Sequence, residues 1–241
     1  MPLLDHFHSP PIGTPPWTSI GAQWIACTIR MLNRSLPKTG YRAYSRVHLG
    51  NMAEADIAEY ELPPADEPRD WSAPSTNDGT ATAVLPPPVA SFAPIYPDQF
   101  AIEIVSVHDG MRIVAVMEFI SPSNKDRPGT REQLVDKCVA YLGNGIGVVL
   151  VDTITSRRAN LSNELVAAFG TNGPQLADCH TYVSSFRPSP PDCNIRQLDM
   201  WAYPAEVGQR IPSVPLPLAS GPPLMIDLES TYVEACADLG L

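Results

Sequence analysis

One carboxylate, Glu118, interrupts the apolar run Val114-Ala115-Val116-Met117-Glu118-Phe119-Ile120 near its C-terminal end. An ionised acid in such a run is costly unless it is paired, hydrogen-bonded or bound to a metal. Three residues could join it. Asp56 is flanked by apolar residues in the strand-like stretch Ala53 to Tyr60, and Lys125 sits in a polar loop with Asp126 and Arg127 after Ser121-Pro122. Lys137 borders the apolar stripe of the next helical segment, so its stem can run along the sheet while the ammonium reaches the strand ends. Two acids from neighbouring strands and a lysine suit metal-assisted phosphodiester hydrolysis. Carboxylates hold hard Mg²⁺ or Mn²⁺, the ion activates water, and the lysine assists in stabilising phosphoryl charge. The plainer reading is a buried Glu118 satisfied by a structural lysine or arginine.

Charge distribution bears on the choice. Between Ser121 and Asn160 there are six basic residues (Lys125, Arg127, Arg131, Lys137, Arg157, Arg158) against four acids (Asp126, Glu132, Asp136, Asp152). That window follows two buried strands, where α/β sheets open a ligand crevice, so Lys125, Arg127 and Arg131 are candidate nucleic-acid contacts. An ordinary solvated loop surface is the alternative. The whole chain carries a net charge of −10, which argues against coating nucleic acid or an anionic membrane. Five scattered cysteines without a C-x-x-C pair read as free thiols in a reducing compartment. With no signal-peptide pattern and no membrane-length apolar run, the expectation is a soluble cytoplasmic protein with no membrane partner. His6, His8, His48, His108 and His180 have no metal-site spacing. Gly143-x-Gly145-x-Gly147 follows a helix and precedes a strand, the wrong order for a dinucleotide loop.

The elements that would position these groups follow from periodicity. Residues 1–16 form a proline-rich surface arm. Ile20, Trp24, Cys27 and Met31 recur at helical steps from Trp17, with Thr18 or Ser19 as cap and Leu36-Pro37 as stop. Tyr41 to Leu49 alternates as a strand, with Arg42, Arg46 and His48 on the polar face. Residues 62–90 are rich in proline and acids, without period, and read as a flexible insertion. Phe100–Val107 and Met111–Ile120 flank His108-Asp109-Gly110 as a hairpin. Thr130 and Gln133 form a capping box before the stripe Leu134, Val135, Cys138, Val139, Leu142. With the buried strand Val148–Asp152, this predicts a parallel βαβ crossover. A short helix at Leu161–Phe169, two strands at Thr181–Phe186 and Gln197–Tyr203, a proline-spaced strap at Ile211–Leu218 and a terminal helix at Ile226–Leu239 complete the chain. The prediction is one α/β domain over 17–210 with a mixed sheet, and residues 211–241 packed on it.

Glu-Phe-Ile-Ser-Pro-Ser-Asn-Lys (118–125), Lys137-x-x-x-Tyr141-x-x-x-Gly145 and the buried strand ending in Asp152 resemble the domain of unknown function 4058 family of bacterial proteins. The same core is similar to the Uma-two-like branch of the PD-(D/E)XK, restriction-endonuclease-like nucleases. That resemblance implies a mixed sheet, Mg²⁺ or Mn²⁺ held by Asp56, Glu118 and the Phe119 carbonyl, and Lys137 as a lysine moved from strand to helix. It departs from the pattern at Ile120, where lysine is usual, and at Ala55, where proline would precede the acid. The literal Pro97-Asp98 lies before the hairpin. Asp56 and Asp98 therefore both stand as the first acid, and Lys125 and Lys137 as the catalytic lysine. The implied function is a metal-dependent nuclease. Its rivals are a catalytically silent scaffold of the same fold and a hydrolase of a small phosphorylated molecule. Oligomeric state is open, a homodimer included.

Overall fold

The structure, a computed structural model, describes residues 1–8, 10, 13–36, 40–48, 99–170, 173, 175, 176, 179–189, 197–218 and 224–241. The expected strand around Asp56, the 62–90 insertion and Asp98 lie outside the described residues. Helix α1 (Trp17–Ser35) leads to β1 (Tyr41–His48), β2 (Gln99–Ser106) and β3 (Arg112–Phe119). A short turn of helix, α2 (Pro122–Asp126), α3 (Pro128–Gly143) and β4 (Gly147–Asp152) follow, then α4 (Leu161–Ala168), β5 (Tyr182–Pro188) and β6 (Leu198–Pro204). The chain ends with β7 (Val214–Leu216), β8 (Leu224–Ile226) and α5 (Leu228–Asp238).

The six strands β1 to β6 form one sheet in sequence order, and β7 pairs with β8 apart from it. Among the described strands only β3 and β4 are parallel, with Glu118 opposite Leu150, and α3 makes the crossover between them. The fold is therefore α/β with a mixed sheet, as the two doubly apolar strands imply. Every residue of β4 is buried because helices cover one face and the strap the other.

On one face, α1 and α5 pack together through Trp24, whose ring meets Phe119 and Tyr232 edge-on at centroid distances of 5.2 and 5.1 Å. Its indole N–H donates to Thr231 Oγ1 at 3.0 Å, so this buried aromatic leaves no polar atom wanting. The strap closes the same layer: Ser185 Oγ donates to the Pro215 carbonyl at 2.7 Å. On the other face, α3 and α4 bury Leu134, Cys138, Leu161 and Leu165 against Val148, Leu150 and Phe186.

Several local expectations are corrected. Pro16, not Thr18 or Ser19, precedes α1, since Trp17 is already helical. The loop holding Lys125 is the helical turn α2, closed by Asn124, whose side chain accepts from the Ser121 N–H at 2.8 Å. Helix α3 starts at Pro128, with proline's fixed φ suited to the first turn, and Thr130 contacts Arg127 instead of opening the helix. The hairpin between β2 and β3 places positive φ at Gly110 (66°) and Met111 (63°), one residue later than Asp109-Gly110 suggests. The N-terminal arm is docked: Leu3 is buried and its backbone bonds Gln209 and Gly208 at 2.9 Å each.

Candidate functional site

Glu118 projects from β3 onto the face covered by α3, where Lys137 meets it with Nζ at 2.8 Å from Oε1. The crossover makes this contact: α3 runs back over the strand that precedes it, and Lys137 flanks Cys138 of the apolar stripe. Burial pushes the Glu118 carboxyl above its ordinary value, opposed chiefly by the Lys137 ammonium and further by Arg46. Only 4% of the Glu118 side chain is exposed against 24% for Lys137. Neither Oε1 nor Nζ has a further hydrogen-bond partner among the described residues. An ammonium has three N–H donors, so the shielded Nζ keeps unused bonding capacity. The Tyr141 ring lies one turn along, with its centroid 5.9 Å from Nζ.

Register extends the site across the sheet. Glu118 is opposite Ala101 of β2, which is opposite Arg46 of β1. In the next row, Val116, Glu103 and Tyr44 stand side by side. Arg46 NH1 reaches Glu103 Oε1 at 2.8 Å. Two carboxylates, two cations and the Tyr141 phenol thus share one electrostatic neighbourhood.

Lys125 does something else. Its Nζ donates to both oxygens of Asp152 (3.1 and 2.9 Å), to the His180 carbonyl (2.9 Å) and to the Ile154 carbonyl (3.4 Å). Both side chains of this ion pair are completely inaccessible. Burial pushes the Asp152 carboxyl up to about 6, against the pull of Lys125. Asp152 also accepts from the Ile154 N–H at 3.0 Å, and the Tyr182 hydroxyl hydrogen-bonds it. Lys125 is therefore no phosphate contact and not the catalytic lysine. It is a saturated rivet beside the C-terminal ends of β3 and β4. The signal was present in the sequence: Asp152 ends a buried strand just as Glu118 does, and needs a cation for the same reason.

The basic window is largely neutralised. Arg131 pairs with Glu164 at 3.1 Å, tying α3 to α4, and Arg157 pairs with Asp126. Arg127 is exposed at the turn between α2 and α3.

Oxygen donors for a hard ion are present at Glu118, and the unused bonds of Lys137 suit a phosphate oxygen or water beside it. The described residues contain no group of three or more His, Cys, Asp or Glu able to hold an ion, so a complete set requires an acid outside them. No helix among the described residues is long and apolar enough to cross a membrane. No protein-family model, curated protein or solved structure matches the chain.

Proposed function

We propose that the protein is a divalent-metal-dependent phosphodiester hydrolase of restriction-endonuclease-like fold acting on nucleic acid, with Glu118 and Lys137 at its centre. The observation that carries this reading is the contrast between Lys125, fully buried, and Lys137, part-exposed along its stem with its Nζ shielded. Lys125 is saturated with acceptors, as a structural lysine should be, whereas Lys137 has one acceptor among the described residues. Buried polar groups in folded proteins are mostly paired, so unused N–H groups beside a buried carboxylate favour a ligand with oxygens.

In this scheme Glu118 and the Phe119 carbonyl hold Mg²⁺ or Mn²⁺ with one further acid. The ion supplies Lewis acidity toward the phosphoryl group and lowers the pKa of water. Lys137 holds the Glu118 carboxylate ionised in its buried setting and offers N–H groups to a phosphate oxygen. Both candidates for the further acid lie outside the described residues. Asp98 directly precedes Gln99, where β2 begins, and β2 is the strand bonded to β3.

Calorimetric titration with Mn²⁺ tests the assignment on the parent, Glu118→Gln, Asp56→Asn and Asp98→Asn. Stoichiometric binding lost in Glu118→Gln and in one of the two aspartate variants is expected. Binding unchanged in Glu118→Gln would remove Glu118 from the metal site. A second reading, the silent scaffold, is favoured by the 2.8 Å ion pair itself, because an ammonium already neutralises the acid. It predicts no Mn²⁺ binding in the parent.

A further inference from the structure

The face of the sheet beside Glu118 carries a feature that metal chemistry does not use. Tyr41 and Ala43 of β1 are buried in the core, so alternation turns Arg42, Tyr44 and Arg46 to the opposite face, that of Glu103 and Glu118. Helices α3 and α4 pack over β4 and β5 on this face. Beyond them, Tyr44 is 47% exposed and the Arg46 side chain 44%. Among the described residues, a large aromatic ring thus stands exposed on the sheet with a guanidinium two residues away on either side. Tyr141, half-buried on α3, borders the same area, and its phenol feels Lys137, Glu118, Glu103 and Arg46.

The charges on this patch run against those of the chain. Three cations (Arg42, Arg46, Lys137) face two carboxylates (Glu103, Glu118), a net positive patch on a protein of net charge −10. The occupant it suits is a polyanion with planar rings, and the rings must be free to stack. Duplex nucleic acid hides its base faces, whereas single strands present them to aromatic side chains, with cations tracking the phosphates.

We infer that the β1 face is a stacking platform for single-stranded nucleic acid that leads the strand toward Glu118 and Lys137. A base stacks on Tyr44, and Arg42 and Arg46 face the flanking phosphates. Cross-strand spacing is about 4.8 Å, so the β1 row lies roughly 10 Å from Glu118, within a nucleotide or two. This inference rests on the nucleic-acid reading above and narrows its substrate to single strands.

The test is fluorescence anisotropy in EDTA, where no metal-dependent cleavage can intervene. The probe is a fluorescein-labelled single strand of about 12 nucleotides, within the span of such sites, compared with the same strand annealed to its complement. The full-length parent should bind the single strand more tightly than the duplex. Tyr44→Ala should weaken single-strand binding by roughly 5- to 150-fold, the range for loss of one stacked base, and Tyr44→Phe should restore it. Arg42→Gln should reduce the slope of log K against log salt by about 0.7, one phosphate contact of a single strand. Equal affinity of the parent and Tyr44→Ala, or preference for the duplex, would overturn the platform and leave the β1 arginines as protection of an exposed sheet edge. Mn²⁺ binding at Glu118 is read separately, so its failure and this one are distinguishable.

Discussion

At the scale of the residue, the chain has two buried acids at the ends of adjacent parallel strands and solves them differently. Asp152 is enclosed by Lys125, backbone and Tyr182, whereas Glu118 has Lys137. Lys125→Met leaves Asp152 wholly buried with no cation, a change that costs about 3–5 kcal/mol at neutral pH. The pH dependence has a definite sign. Asp152 already binds its proton more tightly in the folded state, up to about 6 from 3.8, and losing Lys125 raises that further. Between about pH 6 and the new value the folded variant therefore holds more protons than the folded parent. Its stability relative to the parent falls as pH rises through that window, and the gap is smallest and constant well below about pH 6. Urea melts of both proteins across that range measure it. At the other pair, Lys137→Met should destabilise more than Glu118→Gln, because Glu118 is the more deeply buried charge while Lys137 can turn toward solvent. A larger loss for Glu118→Gln, in the same melts, would mean that the ammonium depends on the acid and not the reverse.

At the scale of the element, the strap is held by close approach. Gly147 opens β4 beneath Pro217, and a Cβ there would lie 2.5 Å from the Pro217 carbonyl oxygen and 2.8 Å from its Cβ. Gly147→Ala should cost about 1–3 kcal/mol as strap or strand shifts, whereas Gly143→Ala, where a Cβ meets nothing within 4 Å, should not destabilise. Thermal melts of the two variants make the comparison. Much of this architecture was legible in the sequence. The runs Val114–Phe119 and Val148–Asp152 are apolar on both alternating faces, and only strands buried on both sides read so. The Glu118–Lys137 meeting was legible from the position of Lys137 at the border of a stripe. Lys125 was misread because a lysine among Asp126 and Arg127 looks like solvated loop. Its burial comes from β5 and the His180 carbonyl, distant in sequence and invisible to local pattern. The pairing of β7 with β8 was missed because three-residue strands spaced by prolines carry no period.

At the scale of the molecule, the described residues of the six-stranded sheet fall into a half riveted by Lys125 and Asp152 and a half with exposed charged and aromatic side chains. Toward β5 the helices and the strap cover the sheet, and Lys125 and Asp152 enclose each other completely. Toward β1 the described residues present exposed charge and aromatic surface beside the Glu118–Lys137 ion pair, whose ammonium has unused bonds. Chemistry is expected on that half, at Glu118 and Lys137. The most direct measurement is cleavage of single-stranded and duplex DNA and RNA by the parent, Glu118→Gln and Lys137→Met, with Mn²⁺ or EDTA, at temperatures where melts show all three folded. Mn²⁺-dependent cleavage in the parent, reduced at least about 100-fold in both variants, is the expected result. No cleavage by the folded parent, or rates that survive in both variants, would contradict it and leave Glu118 and Lys137 as an ion pair of the fold.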